Sequence, residues 1–300
     1  MAPMPSLDDQ PAASDLHHAV LAWYDMHARD LPWRRPEASA WSVMVSEFML
    51  QQTPVARVLP VHEAWLERWP TPADLAAEPT GEAVRAWGRL GYPRRALRLH
   101  AAAVAITEQH DGVVPDSYDD LIALPGVGDY TAAAIASFAY GRRHVVLDTN
   151  VRRVFARAVA GVEFPATAVT RAERDLATGL LPDEEATAAT WAVAVMELGA
   201  LVCTASSPRC GACPIADVCR WRLAGHPAYD GPPRKAQAWA GTDRQCRGRL
   251  MAVLRESEGP VHASALAAAW DDAVQRERCL VGLIDDALVV RVGPESYALP

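Results

Sequence analysis

The stretch from Leu124 to Ala132, LPGVGDYTA, lies between two helical patterns and joins them through two glycines separated by one residue. Such a turn leaves several backbone amides without partners at the start of the next helix, and these amides together with the helix dipole form a phosphate-sized anion site. A G-x-G pattern alone is a weak signal, because a plain helix–turn–helix connection has it too. The stretch therefore predicts two helices that meet at a tight turn, with phosphate binding as one of two interpretations.

Helical patterns continue on both sides of this turn, from residue 16 to residue 223. Ala-rich amphipathic runs alternate with Pro and Gly, and the sequence has no convincing series of alternating strands. We therefore predict that this part of the chain is nearly all-α. The representative predicted helices cover residues 16–29, 41–52, 55–69, 96–109, 131–140, 149–159 and 189–201.

The composition changes at residues 225–241, which are rich in Pro and polar residues and predict a linker. Beyond it, residues 242–300 combine three helical patterns with two short β-like runs joined by turn residues, which indicates a small winged-helix-like module. Residues 1–14 have neither the basic start nor the apolar core of a leader peptide, and we predict a disordered tail. The predicted helices of the module cover residues 247–256, 263–270 and 273–286, and its predicted strands cover residues 288–292 and 297–299.

The formal net charge of −8 does not favour nucleic-acid binding unless the basic residues are clustered. Two arginine groups are clustered, and each is interpreted either as a positive face or as an ordinary solvated helix face. No stretch reaches the roughly 18 uninterrupted apolar residues of a membrane span, so we expect a cytoplasmic chain without a membrane partner. The first arginine group is Arg85, Arg89, Arg94, Arg95 and Arg98, and the second is Arg142, Arg143, Arg152, Arg153 and Arg157.

Four cysteines fall in one short run with the spacing C-x6-C-x2-C-x5-C. Four thiolates held by a compact loop satisfy the ligand requirement of a cubane iron–sulfur cluster or of a closed tetrahedral zinc site. Ordinary buried cysteines or disulfide partners are the alternative. Cys246 and Cys279 stand apart and are interpreted as small buried hydrophobic residues. The candidate metal ligands are Cys203, Cys210, Cys213 and Cys219.

Two carboxylates are candidates for chemistry. Asp148 ends an apolar run and opens a helix, a position at which most aspartates are N-caps. Glu47 lies in MVSEFMLQQT, a largely apolar helical run that would bury its carboxyl group. Burial raises the pKa of a carboxyl group, so Glu47 is expected to hold a proton near neutral pH, although burial beside a structural partner would give the same sequence.

These motifs, taken together and in this order, resemble those of the endonuclease III superfamily of helix–hairpin–helix DNA glycosylases, and within it those of the MutY-type adenine DNA glycosylases. The resemblance covers about residues 16–221 and is carried by LPGVGDYTA, LDTNV, SEFMLQQT and the cysteine spacing. It implies a mostly α fold, with a six-helix barrel domain over residues 35–140 and an iron–sulfur helical domain over residues 15–34 and 141–224. It also implies that the cysteines bind a 4Fe-4S cluster, a choice that their spacing leaves open.

Two positions distinguish branches of this superfamily. Bifunctional relatives carry a lysine nucleophile where this chain has Tyr130, and without an amine no Schiff base of the usual kind forms. Endonuclease III lacks the carboxylate at the position of Glu47, which the adenine enzymes have. The resemblance therefore implies a monofunctional glycosylase of base excision repair, which hydrolyses the N-glycosidic bond of adenine mispaired with 8-oxoguanine or G in double-stranded DNA.

The resemblance also implies a catalytic role for each acid. Protonated Glu47 would donate to N7 of the adenine, and ionised Asp148 would stabilise the oxocarbenium-like sugar, either electrostatically or by transient covalent capture. This division of labour needs one neutral and one charged carboxyl group. Tyr130 and Asn150 would support the two carboxylates.

A base pocket and a DNA interface follow from the same resemblance. The pocket that receives the flipped adenine is expected at Arg29, Leu31, Trp33 and Glu197, although Leu31 and Trp33 could be core residues and Glu197 an exposed helix acid. Gln52 and Tyr92 match residues that wedge into the duplex, and a mere helix-terminal aromatic is the alternative for Tyr92. Further DNA contacts are expected at Thr53, Leu90, Gly126, Val127, Gly128 and Thr131.

The chain departs from the usual pattern of the family after the linker, where about sixty residues replace a large α/β domain that helps to recognise 8-oxoguanine. The winged-helix-like module could bind flanking DNA, bind a partner protein or stabilise the linker. Two other functions remain open, a glycosylase for thymine or uracil opposite G and a non-enzymatic iron–sulfur DNA-binding regulator. We expect a monomer, associated with the nucleoid, with a replication clamp as a candidate partner.

Overall fold

The computed structural model describes residues 13–231 and 239–300. Residues 1–12 of the predicted tail and residues 232–238 of the predicted linker lie outside the described residues. The described chain is mostly helical, which confirms the predicted fold class. Within it, no helix is both long and apolar enough to cross a membrane.

The helices predicted between residues 16 and 201 are all present, with ends that differ by no more than four residues from the prediction. In chain order, the α-helices of the described residues are α1 (Ala13–His27), α2 (Ala40–Leu50), α3 (Val55–Arg68), α4 (Pro72–Ala76), α5 (Thr80–Trp87), α6 (Arg94–Gln109), α7 (Tyr118–Ala123), α8 (Asp129–Tyr140), α9 (Thr149–Ala158), α10 (Arg171–Gly179), α11 (Glu185–Leu201), α12 (Arg220–Leu223), α13 (Asp243–Glu256), α14 (Ala263–Ala269) and α15 (Ala273–Asp285). The strands are β1 (Val261–His262), β2 (Val290–Gly293) and β3 (Ser296–Ala298).

One compact unit contains the described residues of 1–38, 116–121 and 128–233. Its core forms where α11 packs against α1 and α9. Leu16 and Val20 of α1, Phe155 of α9, and Trp191 and Leu198 of α11 are buried there. Each such side chain stabilises the fold by about 1.5–3 kcal/mol when it leaves water. The cysteine loop follows directly after α11, so this core fixes where the loop starts.

A second compact unit contains the described residues of 39–115, 122–127 and 234–300. Trp65 and Trp69 of its core meet edge to face, with ring centroids 4.7 Å apart, an arrangement that aligns the positive edge of one ring with the negative face of the other. The indole nitrogen of Trp41 donates to the carbonyl oxygen of Trp69 at 3.0 Å, which fixes the start of α2 against the end of α3. This contact positions α2, the helix that carries Glu47.

Residues from Asp243 onward form three helices and a three-stranded antiparallel sheet in the order β1-β3-β2. The two predicted strands are confirmed as β2 and β3, and Val261 of the unpredicted strand β1 pairs with Tyr297 of β3. A two-residue strand has no periodicity that a sequence could reveal. The contacts group α8 with the cysteine loop and α13 to α15 with α2 to α6, whereas the predicted boundaries put α8 in the barrel and the last residues in a module of their own. The division into functional domains stays a prediction.

Candidate active site and metal centre

Asp148 is the N-cap of α9, as the structural interpretation of this residue requires. Its Oδ1 atom accepts hydrogen bonds from the amides of Asn150 at 2.9 Å and Val151 at 2.7 Å. Its Oδ2 atom accepts one from Nδ2 of Asn150 at 2.6 Å. Because both oxygens are held, the carboxyl group has one fixed orientation at the start of the helix, which a catalytic group also needs.

The environment of Asp148 opposes its charge. Burial raises the pKa of its carboxyl group, while the hydrogen bonds from Val151 and Asn150 and the charge of Arg153 act in the opposite direction. The net effect is a raised pKa, so the ionised form of Asp148 depends on these donors for its stability. A carboxylate in such a setting is poorly screened by water and interacts strongly with any positive charge that develops beside it.

A hydrogen-bonded path leads from Asp148 to the cysteine loop. Oδ1 of Asn150 accepts a bond from Nη2 of Arg153 at 2.8 Å. The same guanidinium donates to the carbonyl oxygens of Gly199 and Cys203, each at 2.7 Å. The path therefore joins the start of α9, the end of α11 and the first candidate metal ligand.

Three members of the second arginine group are buried, namely Arg152, Arg153 and Arg157. The prediction of a positive or solvated face is therefore wrong for these three. Their side chains donate to backbone carbonyl oxygens and, for Arg152, to the carboxylate of Glu173 at 2.9 Å. All three arginines lie within α9, which packs against α11. This packing joins residues that are far apart in the sequence, so local charge patterns do not reveal it.

The four predicted cysteine ligands line one pocket. Their thiols are free, which removes the disulfide alternative. Burial, together with the charges of Cys203, Cys219 and Cys210, raises the pKa of Cys213 to about 12. A bound metal centre supplies the positive charge that would keep such thiols ionised. The donor set therefore fits a metal centre.

The spacing of the thiols bears on which centre they fit. Among the described residues, no group of three or more His, Cys, Asp or Glu side chains is arranged to hold a single metal ion. Four thiols in one pocket are the donor set of a cluster of several irons or of one tetrahedral zinc ion. The pocket is thus a candidate iron–sulfur site.

Arg157 anchors the cysteine loop. Its side chain is almost fully buried, and its Nη1 atom donates to the carbonyl oxygen of Thr204 at 2.7 Å and lies 3.5 Å from Sγ of Cys203. The guanidinium also lies over the ring of Trp221, 4.7 Å from its centroid. Both ends of the loop therefore contact Arg157. The start of the loop accepts its hydrogen bonds, and Trp221 at the end of the loop packs against the flat face of its guanidinium group.

The predicted base pocket contains an ion-paired carboxylate. Glu197 is fully buried, and Arg29 donates to both of its oxygens, from Nε and from Nη2, each at 2.6 Å. Arg34, which was not predicted as a site residue although it lies in the motif ARDLPWRR, adds a contact at 2.9 Å. Burial alone would raise the pKa of Glu197, but the hydrogen bond from Arg29 and the charge of Arg34 lower it below its usual range. The alternative of an exposed helix acid is wrong, and Glu197 is a buried anion.

Leu31 and Trp33 are buried near the start of the same unit. Burial agrees both with a core role and with the wall of a pocket, so their role stays a prediction. Tyr130 is half-buried and packs beside Ala133 and Val146. Glu47 is 4 % exposed on α2 of the second unit, as its apolar surroundings predicted. That Glu47 and Asp148 act on one nucleoside stays a prediction.

The loops that carry Gln52 and Tyr92 are tied together. Oγ1 of Thr53 donates to the carbonyl oxygen of Leu90 at 3.2 Å, and Arg95 donates to the carbonyl oxygen of Gln51. Gln52 and Tyr92 both have positive φ angles, 58° and 48°, which non-glycine residues rarely adopt. Strained backbone at two exposed positions of adjoining loops is typical of functional sites.

The hairpin joins α7 to α8 as predicted, through a turn closed by a hydrogen bond from the amide of Val127 to the carbonyl oxygen of Leu124 at 3.1 Å. Gly126 has a φ of +79°, and a Cβ there would lie 2.6 Å from Cβ of Arg98, so only glycine fits. Gly128 is the N-cap of α8 and is exposed. Thr131, in the first turn of α8, and Val127 are buried, so Gly126 and Gly128 are the exposed ones among the hairpin residues expected to contact DNA.

Two family profiles match the chain. Residues 45–176 match the HhH-GPD superfamily base excision DNA repair protein, and residues 203–219 match the iron-sulfur binding domain of endonuclease III. The second match begins at Cys203 and ends at Cys219, the outer two of the four predicted ligands.

The chain is 53% identical over 303 residues to the adenine DNA glycosylase of Mycobacterium tuberculosis, with 99% of this chain and 99% of the relative covered. It is 54% identical over 281 residues to the adenine DNA glycosylase of Mycolicibacterium smegmatis, covering 93% and 94% of the two chains. The human adenine DNA glycosylase is 42% identical over 213 residues, which cover 68% of this chain and 39% of the human protein.

Solved structures with the same fold include a thermostable thymine-DNA glycosylase, with a TM-score of 0.62 and 22% identity over 71% of this chain and 97% of that chain. They also include endonuclease III in a non-covalent complex with DNA, with a TM-score of 0.59 and 22% identity over 72% and 98% of the two chains. At this identity the likeness shows the fold alone.

Proposed function

The chain belongs to the adenine DNA glycosylases of the HhH-GPD superfamily of base excision repair proteins, and from that membership we propose that it releases adenine opposite 8-oxoguanine or G in double-stranded DNA. The protein is a DNA glycosylase, and Cys203, Cys210, Cys213 and Cys219 hold its 4Fe-4S cluster. The chain is similar to two mycobacterial adenine DNA glycosylases over nearly its whole length, and this similarity supports adenine, and not thymine or uracil, as the base that is released.

The catalytic proposal rests on the setting of Asp148. Loss of adenine leaves positive charge on the sugar, and a fixed carboxylate with little water around it stabilises that charge without having to reorganise. Asp148 is oriented by Asn150 and Val151 before any substrate binds. We assign it the stabilisation of the oxocarbenium-like sugar, with Asn150 as the residue that orients it.

Glu47 is the proposed proton donor. Adenine is a poor leaving group as an anion, so protonation at N7 before or during cleavage lowers the barrier. A carboxyl group buried within an apolar helix suits this task. After donation, the Glu47 carboxylate could accept a proton from the incoming water, which completes hydrolysis.

The chain is proposed to be monofunctional, because Tyr130 stands where bifunctional relatives have their lysine. The base pocket is assigned to Arg29, Leu31, Trp33 and Glu197. The contacts between Arg29 and Glu197 support this assignment, since they join two of the four assigned residues at 2.6 Å.

The cluster is proposed to act through structure. When bound, it closes the loop from Cys203 to Cys219 around one centre, and Arg153 joins that loop to Asn150. The turn of the hairpin, at Gly126, Val127 and Gly128, is assigned to DNA phosphates, with Thr131 in the first turn of α8; Gly126 and Gly128 are the exposed residues of this turn. Gln52 and Tyr92 are assigned to the duplex beside the flipped base, supported by Thr53 and Leu90.

Base release from synthetic duplexes tests this proposal. Labelled adenine should leave duplexes that contain A opposite 8-oxoguanine and, more slowly, A opposite G, and the DNA strand should break only after alkali treatment. Release of thymine from a T opposite G duplex with no adenine release would overturn the choice of base. Strand breakage without alkali would overturn the monofunctional assignment, and tight DNA binding without any base release would favour a regulator.

A further inference from the structure

The last sixty residues dock directly on the helices that carry the first arginine group, within the unit that both share. Arg85 donates from Nη1 to the carbonyl oxygen of Ser257 at 2.7 Å. Arg94, at the start of α6, pairs with Asp286 at 3.1 Å. These two contacts attach the ends of α13 and α15 to the region around the loop that carries Tyr92.

The carboxyl-terminal residues make a third attachment. A Cβ atom at Gly81, at the start of α5, would lie 2.3 Å from the carbonyl oxygen of Pro300 and 3.1 Å from Cβ of Leu299. Only glycine leaves room for this approach of the two backbones. The docking therefore requires a glycine at position 81.

This docking brings a cation to Tyr92. The guanidinium carbon of Arg244, at the second residue of α13, lies 5.1 Å from the centroid of the Tyr92 ring and 5.5 Å from that of Trp239. The guanidinium carbon of Arg95, on α6, lies 4.7 Å from the same Tyr92 ring. Tyr92 thus interacts with one cation from its own loop and helix and with one that is 152 positions away in the sequence.

Tyr92 has the features of a side chain held for a partner. It is 43 % exposed, although an aromatic ring gains most when it is buried. Its φ of 48° is unfavourable for a residue with a side chain. A backbone conformation of this kind persists only when its surroundings impose it, and here the surroundings include Arg95 and Arg244.

We propose that Arg244 of the carboxyl-terminal residues is a positioning residue for Tyr92, which it holds ready to wedge between the bases opposite the extruded adenine. The inference rests on the proposed function, in which Tyr92 is the wedge. A cation over the ring restricts how the ring turns and adds attraction that survives when the surroundings lose water on DNA binding. The winged-helix-like module then contributes directly to recognition of the mispair, and its role is not limited to binding a partner.

A double-mutant cycle on the full-length holoenzyme tests this inference. The variants are Tyr92→Ala, Arg244→Ala and the double variant, and the measured quantity is affinity for two duplexes. One duplex carries 2′-fluoro-adenosine, which resists base loss, opposite 8-oxoguanine, and the other is fully paired. On the mispair, Arg244→Ala should weaken binding about three- to tenfold, and the double variant should bind no more weakly than Tyr92→Ala alone. On the paired duplex, the loss for Arg244→Ala should be less than half as large, because the wedge acts only at the lesion.

The controls separate this role from charge and from folding. Arg249→Ala removes another exposed arginine of α13 and should leave both affinities unchanged. Arg244→Lys keeps the charge but not the flat guanidinium, and it should fall between the wild type and Arg244→Ala. Since Arg244 is exposed, Arg244→Ala should retain the thermal midpoint and the cluster absorbance of the wild type.

Each adverse result has its own meaning. Equal weakening on both duplexes, additive with Tyr92→Ala, would show that Arg244 is a simple phosphate contact and would overturn the inference while leaving the proposed function intact. Weakening by Tyr92→Ala without weakening by Arg244→Ala would have the same consequence. If Tyr92→Ala itself changes neither affinity, the wedge assignment of the proposed function fails, and the inference fails with it.

Discussion

In the proposed mechanism, Asp148 serves both the structure of α9 and the chemistry of base release. An N-cap carboxylate needs only to accept amide hydrogen bonds from the first turn, and Asp148 does so from Asn150 and Val151. A group that stabilises a cationic sugar also needs little water around it, and burial supplies this at the cost of a raised pKa. The cap donors limit that rise, so the bonds that start α9 also favour the ionised form of Asp148 that the proposed mechanism needs.

Replacement of Asp148 by Asn should separate the two roles. Asn caps helices as well as Asp does, and it carries no charge that burial disfavours, so the thermal midpoint of Asp148→Asn should equal or slightly exceed that of the wild type. The rate of adenine release should fall by about 10²–10³-fold or more, because the charge that faces the sugar is gone. Single-turnover kinetics and thermal unfolding of the same preparation check both parts. A rate close to that of the wild type would remove Asp148 from the mechanism.

The side chain of Asn150 should set the pH dependence of the reaction. Its hydrogen bond lowers the pKa of Asp148, so its loss in Asn150→Ala should move that pKa further above the ordinary value. The active form of Asp148 is ionised, and a higher pKa leaves less of it at a given acidic pH. The acidic limb of the single-turnover rate should therefore shift to higher pH in Asn150→Ala.

Thr149→Ala is the matched control for this shift, because Thr149 is an exposed neighbour in the same first turn of α9. Its acidic limb should coincide with that of the wild type. An unchanged limb in Asn150→Ala, with a lower rate at every pH, would mean that Asn150 contributes through packing and not through the ionisation of Asp148.

At the scale of elements, the contact between α9 and α11 decides the geometry of the site. Arg153 joins Asn150 on α9 to the carbonyl oxygen of Gly199 on α11. The two helices approach closely enough for this bond because Gly199 has no side chain. A Cβ atom at position 199 would lie 2.7 Å from Cβ of Asn150. The close approach of two helices therefore places the residue that orients Asp148.

Gly199→Ala should push these helices apart. A methyl group forced into a closed contact costs about 1–3 kcal/mol, and the thermal midpoint should fall by about 2–4 °C for each kcal/mol. Base release should also slow, since Asn150 is the neighbour that must move. Gly248→Ala is the matched control: Gly248 lies in α13, where an added Cβ would meet nothing within 4 Å, and this change should stabilise the protein by about 0.5–1 kcal/mol. Equal midpoints for the two variants would contradict the steric argument.

Most of the elements that the sequence predicted have enough residues to show a period, whereas the three-residue strand β3 was predicted from its residue types and the turn before it. The helices from α1 to α11 that span three or more turns and the cysteine ligands follow from local pattern, whereas the short helix α4 and strand β1 are too brief to show one. The pairing of side chains that are far apart in the sequence was not predicted. The pair between Arg29 and Glu197 joins residues 168 positions apart, and that between Arg153 and Cys203 joins residues 50 apart. Such pairs depend on how helices pack, which no local pattern specifies.

At the scale of the whole molecule, a chain with a net charge of −8 has to bind a polyanion. Arg89 and Arg98 of the first arginine group are exposed around the loop of Tyr92 and the hairpin, so we expect the positive charge that meets DNA to lie there. The second arginine group contributes little to the surface, since three of its members are buried. We therefore expect the distribution of charge, and not the net charge, to determine how the protein binds DNA.

Salt dependence should report this distribution. If the first arginine group meets the phosphates, the affinity for a mispaired duplex should fall steeply with salt concentration, and Arg98→Ala should reduce the log–log slope by about 0.9, the contribution of one phosphate contact. Arg98 is chosen because its side chain adjoins Gly126 of the hairpin. Arg171→Ala, which removes a nearly fully exposed arginine of α10, should leave the slope unchanged. A slope that falls equally in both variants would mean that DNA responds to the overall charge of the protein, and the exposed arginines around the hairpin would then have no special role.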